Sequence, residues 1–269
     1  MSESGVLLER ASDPRIARLI LNRPARRNAF DGELVALLQR AVRELAGDAT
    51  TRVIELSGAG KAFCAGADID WMKKVSGFTM QENLRDSAEL ASLFRAFDEL
   101  AKPIVARVQG AALGGGTGLV AVCDVVVAAE DAIFGTTEVR LGVIPAVISP
   151  YLVHKIGESR ARAWFVTGER VSAEEARQAG LVHRIVPEKE LDSAARTILD
   201  AILLGGPEAV SEAKHLARAV AAMPLREATN MAIQRLGERR ASAEGREGLA
   251  AFLEKRKPSW AAEPAAKKP

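Results

Sequence analysis

Residues 57–68 read SGAGKAFCAGAD, and a second run of small residues, GAALGGGTG, occupies positions 110–118. Each run follows a short apolar segment, at 53–56 and 104–108, whose length and composition predict a buried strand. Runs so rich in glycine and alanine predict neither helices nor strands. They predict two turns in which main-chain N–H groups point into a cavity without a side chain in the way.

Neither turn fits a nucleotide-binding motif. In a phosphate-binding P-loop the lysine is followed by Ser or Thr, whereas Lys61 is followed by Ala62. A dinucleotide-binding turn needs a glycine three residues after Gly116, where this chain has Leu119. Two main-chain donors that face one cavity instead form an oxyanion hole, although turns that only serve close packing have the same composition.

The segments around these turns alternate between strand and helix patterns. Predicted strands lie at 15–21, 53–56, 104–108, 125–128 and 181–186, and predicted helices at 31–46, 81–100 and 172–179. Such alternation is typical of an α/β protein.

From about residue 191 onward the strand patterns stop. Amphipathic helical patterns cover 209–222, 225–240 and 244–256. We therefore predict a core at 1–190, a helical C-terminal subdomain at 191–260 and, from its Ala, Lys, Pro and Glu composition, a disordered tail at 261–269.

The composition excludes several classes of function. Of 269 residues, 37 are basic and 35 acidic, so the charge balance gives no field for nucleic acid or a membrane surface. No apolar stretch reaches the roughly 20 residues of a membrane span. Cys64, Cys123 and the three histidines lack metal-ligand spacing. We expect a cytoplasmic protein without a metal site, a nucleic-acid partner or a membrane partner.

Several motifs together carry a resemblance to a known family. They are Arg-Asn-Ala at 27–29, KAFCAGADI at 61–69, GAALGGG at 110–116, Cys-Asp at 123–124, Phe-Gly at 134–135, Glu138 with Leu-Gly at 141–142, and AFLEKR at 251–256. In this combination the chain, from about residue 6 to 260, resembles the enoyl-CoA hydratase/isomerase superfamily, also called the crotonase superfamily.

The resemblance implies a fold, an assembly and a substrate. The fold would be a crotonase-like spiral of ββα turns followed by a helical trimerisation region, with a homotrimer or a hexamer of paired trimers as the assembly. The substrate would be an acyl-CoA, and because coenzyme A is part of it, no separate cofactor is expected. The thioester oxygen would accept hydrogen bonds from the N–H groups of Ala67 and Gly115.

The resemblance also implies which residues contact coenzyme A. Segments 27–29 and 65–69 would line its adenine end, and the end of the last helix would approach the nucleotide of a neighbouring subunit. The cations in this set would face phosphates, unless they are solvated surface charges, and Asp68 also fits a turn or helix N-cap position. The residues of this set are Arg26, Arg27, Ala29, Ala65, Asp68, Ile69, Gly114, Phe252 and Lys255.

The catalytic carboxylates show a departure from the family pattern. Adding water across a conjugated double bond needs one group that activates water and one that protonates carbon, and the resembling hydratases use two glutamates. The second is present as Glu138, whereas the position of the first is Gly118. The apolar residues after Glu138 predict a raised pKa for a general acid/base, and an ion pair with Arg140 is the alternative.

Three functions follow from this departure. The first is reversible hydration of a 2-enoyl-CoA, with water held by a group other than residue 118. Gly118 and the run PAVISP at 145–150 resemble bacterial hydratases of methylglutaconyl-CoA or isohexenylglutaconyl-CoA, whose second carboxylate would need a partner such as Arg140, Ser149 or Tyr151. The second is a Δ3–Δ2 enoyl-CoA isomerase that uses Glu138 alone. The third is an acyl-CoA-binding protein without activity.

Overall fold

The computed structural model describes residues 5–261 of the chain. Its strands are β1 (Val6–Arg10), β2 (Ile16–Leu21), β3 (Val53–Gly58), β4 (Ile104–Val108), β5 (Ala111–Leu113), β6 (Val125–Ala129), β7 (Ile133–Gly135), β8 (Arg170–Ser172) and β9 (Arg184–Val186). They form a six-stranded sheet in the order β1-β2-β3-β4-β6-β9 and a three-stranded sheet in the order β5-β7-β8.

The helices connect these strands and then continue beyond them. They are α1 (Gly32–Gly47), α2 (Ile69–Val75), α3 (Met80–Asp98), α4 (Gly115–Ala121), α5 (Ser149–Ile156), α6 (Glu158–Thr167), α7 (Ala173–Ala179), α8 (Leu191–Leu204), α9 (Pro207–Ala221), α10 (Leu225–Ala241) and α11 (Ala243–Leu253). Short 3-10 helices occur at Pro24–Arg26, Thr137–Leu141, Glu188–Glu190 and Ser259–Ala261. Among residues 5–261, no helix is both long and apolar enough to cross a bilayer.

Both faces of the larger sheet are buried. Its strands run parallel from β2 to β9, and only the edge strand β1 is antiparallel to its neighbour. Alternate residues point to opposite faces, so Ile54 and Leu56 pack on the side of α1 and α3, while Val53 packs on the other side with Leu199 of α8. Strands buried on both faces explain why this part of the sequence reads as continuous apolar runs.

Several elements differ from the sequence predictions. The elements that were not predicted are β1, β7, β8, α2 and α6, and the predicted turn at 110–118 contains β5 and the first residues of α4. The predicted strand at 181–186 is shorter, because the N–H groups of Leu181 and Val182 donate to the carbonyl of Ala176 and close the end of α7. Only β9 then joins the sheet.

The C-terminal helices divide into two groups by their packing. α8 covers one face of the larger sheet and contacts β3, β4 and β6, whereas α9, α10 and α11 contact one another. Trp260 closes this end of the described chain, because its carbonyl accepts hydrogen bonds from Arg15 and Arg52. The division at residue 190 stays a prediction, and residues 262–269 of the predicted tail lie outside the described residues.

Both cysteines lie in the apolar core. Cys64 and Cys123 are buried and are not joined in a disulfide. Burial raises the pKa of each thiol to about 12. Neither residue is a nucleophile in this state, because a thiol reacts as its thiolate.

Candidate active site

The two glycine-rich segments lie side by side. Cys64 pairs with Ala112 in an isolated parallel bridge. Phe30 lies between the two segments further on, because it forms a bridge with Ala67 and its ring lies 3.0 Å from a Cβ built on Gly115. The contact one residue earlier agrees, since a Cβ built on Gly114 would lie 3.7 Å from the Cα of the residue before Ala67. The two predicted oxyanion donors are therefore neighbours in space.

Glycine is required where these segments touch. A Cβ on Gly116 would lie 2.4 Å from the carbonyl oxygen of Cys64, which no real side chain tolerates. Gly114 has a φ of +52°, in the left-handed region that favours glycine. The second run of small residues thus serves close packing, and its role in an oxyanion hole stays a prediction.

The N–H groups of Ala67 and Gly115 are free within the described chain. Neither donates a hydrogen bond to any residue between 5 and 261. Gly115 is the first residue of α4, where N–H groups have no partner in the helix and the helix dipole is positive. Two free donors side by side can bind an oxygen that carries negative charge.

The Glu138 side chain reaches the same place. Its Oε1 atom lies 3.3 Å from a Cβ built on Gly114, directly before the donor Gly115. Its Oε2 atom is buried and has no hydrogen-bond partner among residues 5–261. Burial raises the pKa of this carboxyl above its ordinary value. The structure shows no ion pair between Glu138 and Arg140 in the part of the chain that it describes.

The 3-10 helix that carries Glu138 is fixed to α4 through Thr117. The Thr117 hydroxyl accepts a hydrogen bond from the N–H of Gly135, at 3.1 Å, and contacts the carbonyl of Ala112 at 2.7 Å. The N–H of Gly114 donates to the carbonyl of Gly135 at 2.8 Å. The end of β7 is thereby tied to the start of α4, which holds the carboxylate and the second donor in one rigid unit.

Gly118, where the resemblance places the first glutamate of hydratases, faces an apolar wall. A Cβ on Gly118 would lie 2.3 Å from Cγ2 of Ile148 and 3.0 Å from Cε1 of Phe94. Ile148 is 3% exposed, so its side chain is buried against this position. The Ser149 hydroxyl donates to the carbonyl of Ala146, and the Tyr151 ring packs on Phe94 at 6.0 Å between centroids.

Two segments predicted to contact coenzyme A meet in the structure. The N–H of Ala65 donates to the carbonyl of Arg27 at 3.0 Å. Between them the buried Asn28 side chain donates to the carbonyls of Ala59 and Ala62. Segments 26–29 and 65–69 thus form one surface beside the glycine turns, and Ala29 is buried within it.

Asp68 is the N-cap of α2, one of the two roles that the sequence left open for it. Its Oδ1 atom accepts hydrogen bonds from the N–H groups of Asp70 and Trp71. Its Oδ2 atom lies 3.2 Å from Nη1 of Arg26. Arg26 therefore already has an acidic partner, while Ile69 is exposed beside it. Contact of these side chains with coenzyme A stays a prediction.

The two residues predicted to reach a neighbouring subunit lie at the end of α11. Phe252 is 81% exposed, which is unusual for an aromatic side chain. Lys255 follows in the left-handed region with a φ of 55° and is exposed. Their contact with the nucleotide of a neighbouring subunit stays a prediction.

A cleft of about 370 Å³ lies between the end of α4, α5 and α9, and of the residues considered for the site its lining includes only Tyr151 among those described. His154, His183 and His215 all border it. His183 Nδ1 accepts a hydrogen bond from the N–H of Val126, and burial lowers the pKa of its ring. This contact gives His183 a structural role at the start of β6.

Sequence reasoning missed the two side chains that shape the site most closely, Phe30 and Ile148. Phe30 contacts both glycine segments, and Ile148 occupies the space beside Gly118. The only sign of these residues in the sequence is that each is a large apolar residue in a segment without a regular helix or strand pattern. Nothing in the sequence says which glycine such a residue faces.

The geometry defines a candidate site in which two main-chain N–H groups without a partner in the described chain lie near a half-buried carboxylate, an arrangement suited to a substrate whose carbonyl becomes an enolate. The sequence model of the family described as enoyl-CoA hydratase/isomerase matches residues 12–263. The chain belongs to this family of enzymes, which confirms the resemblance and the α/β crotonase fold.

Known relatives cover nearly the whole chain. A Thermus thermophilus protein that carries the name of an enoyl-CoA hydratase is 37% identical over 245 residues, covering 91% of this chain and 97% of the relative. The 2,3-dehydroadipyl-CoA hydratase of Escherichia coli is 34% identical over 248 residues, covering 91% and 95%. A Legionella pneumophila crystal structure superposes with a TM-score of 0.91 at 40% identity, covering 96% of this chain and 100% of that one.

Proposed function

We propose that the protein reversibly hydrates a 2-enoyl-CoA, with Glu138 as the general acid/base. The observation that carries this proposal is the buried Oε2 atom of Glu138, which has no hydrogen-bond partner among the described residues and lies near two free main-chain donors. A buried carboxylate oxygen without a partner is costly, and such groups are typical of sites where a proton is exchanged. The names of the relatives support hydration as the reaction.

The residues of the site account for each step. Glu138 takes a proton from water as the water oxygen bonds to the β-carbon of the enoyl group. The π electrons move onto the thioester oxygen, where the N–H groups of Ala67 and Gly115 stabilise the enolate. Loss of one such donor costs about 2.7–4 kcal/mol of transition-state stabilisation in other enzymes. The enolate then takes the proton back from Glu138 at its α-carbon.

One carboxylate performs both proton transfers in this scheme. The wall at Gly118 supports it, because Ile148 occupies the space in which a second carboxylate would stand. The chemistry needs only a proton carrier and fixed dipoles, so we propose no cofactor beyond the coenzyme A of the substrate. We also propose that the protein is located in the cytoplasm.

Binding of coenzyme A is proposed for the surface formed by 26–29 and 65–69 together with Gly114. The end of α11 would complete it from a neighbouring subunit in a homotrimer or a hexamer. Exposed apolar residues on the C-terminal helices support such an assembly, since they are unfavourable in water. Among them are Leu225, Ile233, Leu249, Phe252 and Leu253.

The acyl group is proposed to be a branched glutaconyl type with a second carboxylate. The Escherichia coli relative is named for 2,3-dehydroadipyl-CoA, which also has a second carboxylate. Arg140 lies two residues after Glu138, is exposed, and makes no ion pair with another described residue. Its guanidinium suits a carboxylate at the far end of the acyl group.

A second candidate function is Δ3–Δ2 enoyl-CoA isomerisation. The observation that favours it is again the apolar wall, because isomerisation moves one proton and excludes water. Glu138 would take the proton from the α-carbon and return it at the γ-carbon through the same enolate.

Incubation with a 2-enoyl-CoA and, separately, with a 3-enoyl-CoA distinguishes these functions. Hydration lowers the absorbance of the conjugated thioester, and isomerisation of the 3-enoyl-CoA raises it. Loss of absorbance with the 2-enoyl-CoA is expected for the hydratase. If only the 3-enoyl-CoA reacts, the proposal of a hydratase is wrong and the protein is an isomerase.

Glu138→Gln tests the assigned acid/base in the same assay. We expect turnover to fall by about 10² to 10⁴, the usual contribution of a positioned acid/base. Glu130→Gln is the matched control, since Glu130 is an exposed carboxylate at the turn after β6. Turnover that is unaffected by Glu138→Gln would remove Glu138 from the mechanism, and absence of turnover in the unaltered protein would favour a role in binding alone.

A further inference from the structure

Phe30 connects the two segments that carry the oxyanion donors. Its N–H donates to the carbonyl of Gly66 at 2.7 Å, and its carbonyl accepts from the N–H of Asp68 at 2.8 Å. These two hydrogen bonds enclose Ala67 and form a parallel bridge with it. The backbone of Phe30 therefore fixes the position and direction of the first donor.

The ring of the same residue supports the second donor. A Cβ on Gly115 would lie 3.0 Å from both Cδ2 and Cε2 of Phe30, so the ring packs directly against the first residue of α4. Phe30 is 6% exposed, and its ring lies 6.2 Å from that of Phe94, which faces Gly118. Gly115 and Gly118 lie one turn apart on α4, so the two rings support the same face of this helix.

We infer that Phe30 is a positioning residue that sets the spacing between the N–H groups of Ala67 and Gly115. One donor is held by its main chain and the other by its ring, and a phenyl ring is rigid. Shortening this side chain leaves the first donor in place and lets the start of α4 move toward the space that the ring leaves. The inference rests on the proposed function, because the spacing matters only if both donors bind one oxygen.

The ring has no group that transfers a proton, so its effect on catalysis must come through geometry. A misplacement of about 1 Å costs on the order of 100-fold in rate, and a lost oxyanion donor costs about 100- to 1,000-fold. A donor that is displaced but not lost should cost no more in rate than a donor that is lost. We expect Phe30→Ala to lower kcat about 10- to 100-fold with little change in KM, since the contacts with coenzyme A are made elsewhere.

The experiment combines turnover with a direct signal from the thioester. An oxyanion hole polarises the carbonyl of a bound enoyl-CoA, which shifts its absorbance to longer wavelength and lowers its carbonyl stretching frequency. Both are measured at saturating enoyl-CoA with the full chain. We expect Phe30→Ala to lose most of this shift and Phe30→Leu, which restores much of the apolar volume, to keep most of it and to stay within about threefold of the unaltered kcat.

Phe97→Ala is the matched control. Phe97 is equally buried in the same core, but it is not among the nearest contacts of Gly115 or Gly118. We expect a comparable loss of stability with unchanged carbonyl shift and kcat. If Phe30→Ala does not fold, Phe30→Val takes its place with the same expectation.

Each outcome decides one question. A folded Phe30→Ala or Phe30→Val variant with the full carbonyl shift and kcat overturns the role of Phe30 and leaves the proposed function intact. An unaltered protein that binds enoyl-CoA without any carbonyl shift overturns the proposed oxyanion hole itself. Equal loss of the shift in Phe97→Ala also overturns the inference, because the effect would then reflect general loosening of the core.

Discussion

The contact between Gly118 and Ile148 allows a quantitative prediction about stability. Gly118→Ala places a methyl group 2.3 Å from Cγ2 of Ile148, a distance that forces a shift in the core. Overpacking of this kind costs about 1–3 kcal/mol, while replacing glycine by alanine inside a helix recovers about 1 kcal/mol. We expect the free energy of unfolding to fall by up to about 2 kcal/mol.

Ile148→Ala provides the second arm of a double-mutant cycle. Truncation of this buried side chain costs about 2–5 kcal/mol, because it leaves a cavity. In the double variant the new methyl at 118 enters the space that Ile148 leaves, although Cβ of residue 148 stays 2.9 Å away and requires a small adjustment. The combined loss is then about 1–2 kcal/mol smaller than the sum of the single losses.

Unfolding in urea measures these free energies, at one protein concentration throughout because assembly links stability to concentration. Ile148→Val is the control, since valine keeps Cγ2 and does not relieve the contact. Its cycle with Gly118→Ala should be additive within about 0.5 kcal/mol. Additive behaviour of the alanine cycle would refute the packing argument, and with it the claim that this wall prevents a carboxylate at 118.

Further predictions concern Glu138 and Asp68. Glu138 must be ionised to take a proton from water, and burial raises its pKa above 4.5. The kcat/KM for hydration should therefore rise with pH through an apparent pKa above 4.5. A pH profile whose rising part has an apparent pKa at or below 4.5 would contradict this expectation. The folded state binds this proton more tightly than the unfolded state, so the free energy of unfolding falls as the pH rises from 4.5 through the raised pKa. Urea unfolding should therefore show that Glu138→Gln stabilises the protein at pH 7 but not below pH 4.5. Asp68→Ala removes the N-cap of α2 and should lower the free energy of unfolding by about 1 kcal/mol. Asp68→Asn keeps the cap and loses only the ion pair with Arg26. Equal losses of stability for the two variants in urea unfolding would contradict the capping role.

The sequence predicted the central strands and the long helices because their patterns are local. β3 and β4 are continuous apolar runs, and α1 shows apolar residues at helical spacing with Asp31 as its cap. β1 escaped prediction because it is an edge strand with polar residues at its end, and α2 because it has only seven residues. Short elements are fixed by their neighbours more than by their own composition.

Part of the chemistry of the site could also be predicted from the sequence. Glu138 and the two glycine turns follow from motifs, and the structure brings them together, while their roles stay predictions. The environment of Gly118 does not follow, because Ile148 lies 30 residues further along the chain and Phe94 lies 24 residues before it. Likewise, the dual contact of Phe30 depends on a bridge between loops that no local pattern encodes.

The buried cysteines have a practical consequence for labelling. Cys64 and Cys123 have thiols with a pKa of about 12 in the core, so a maleimide reagent should leave the native protein unmodified. Glu130→Cys, in the exposed turn after β6, would then carry a dye at one known point. Energy transfer between such dyes on mixed donor and acceptor chains would report subunit exchange directly, without removing any native residue from the core.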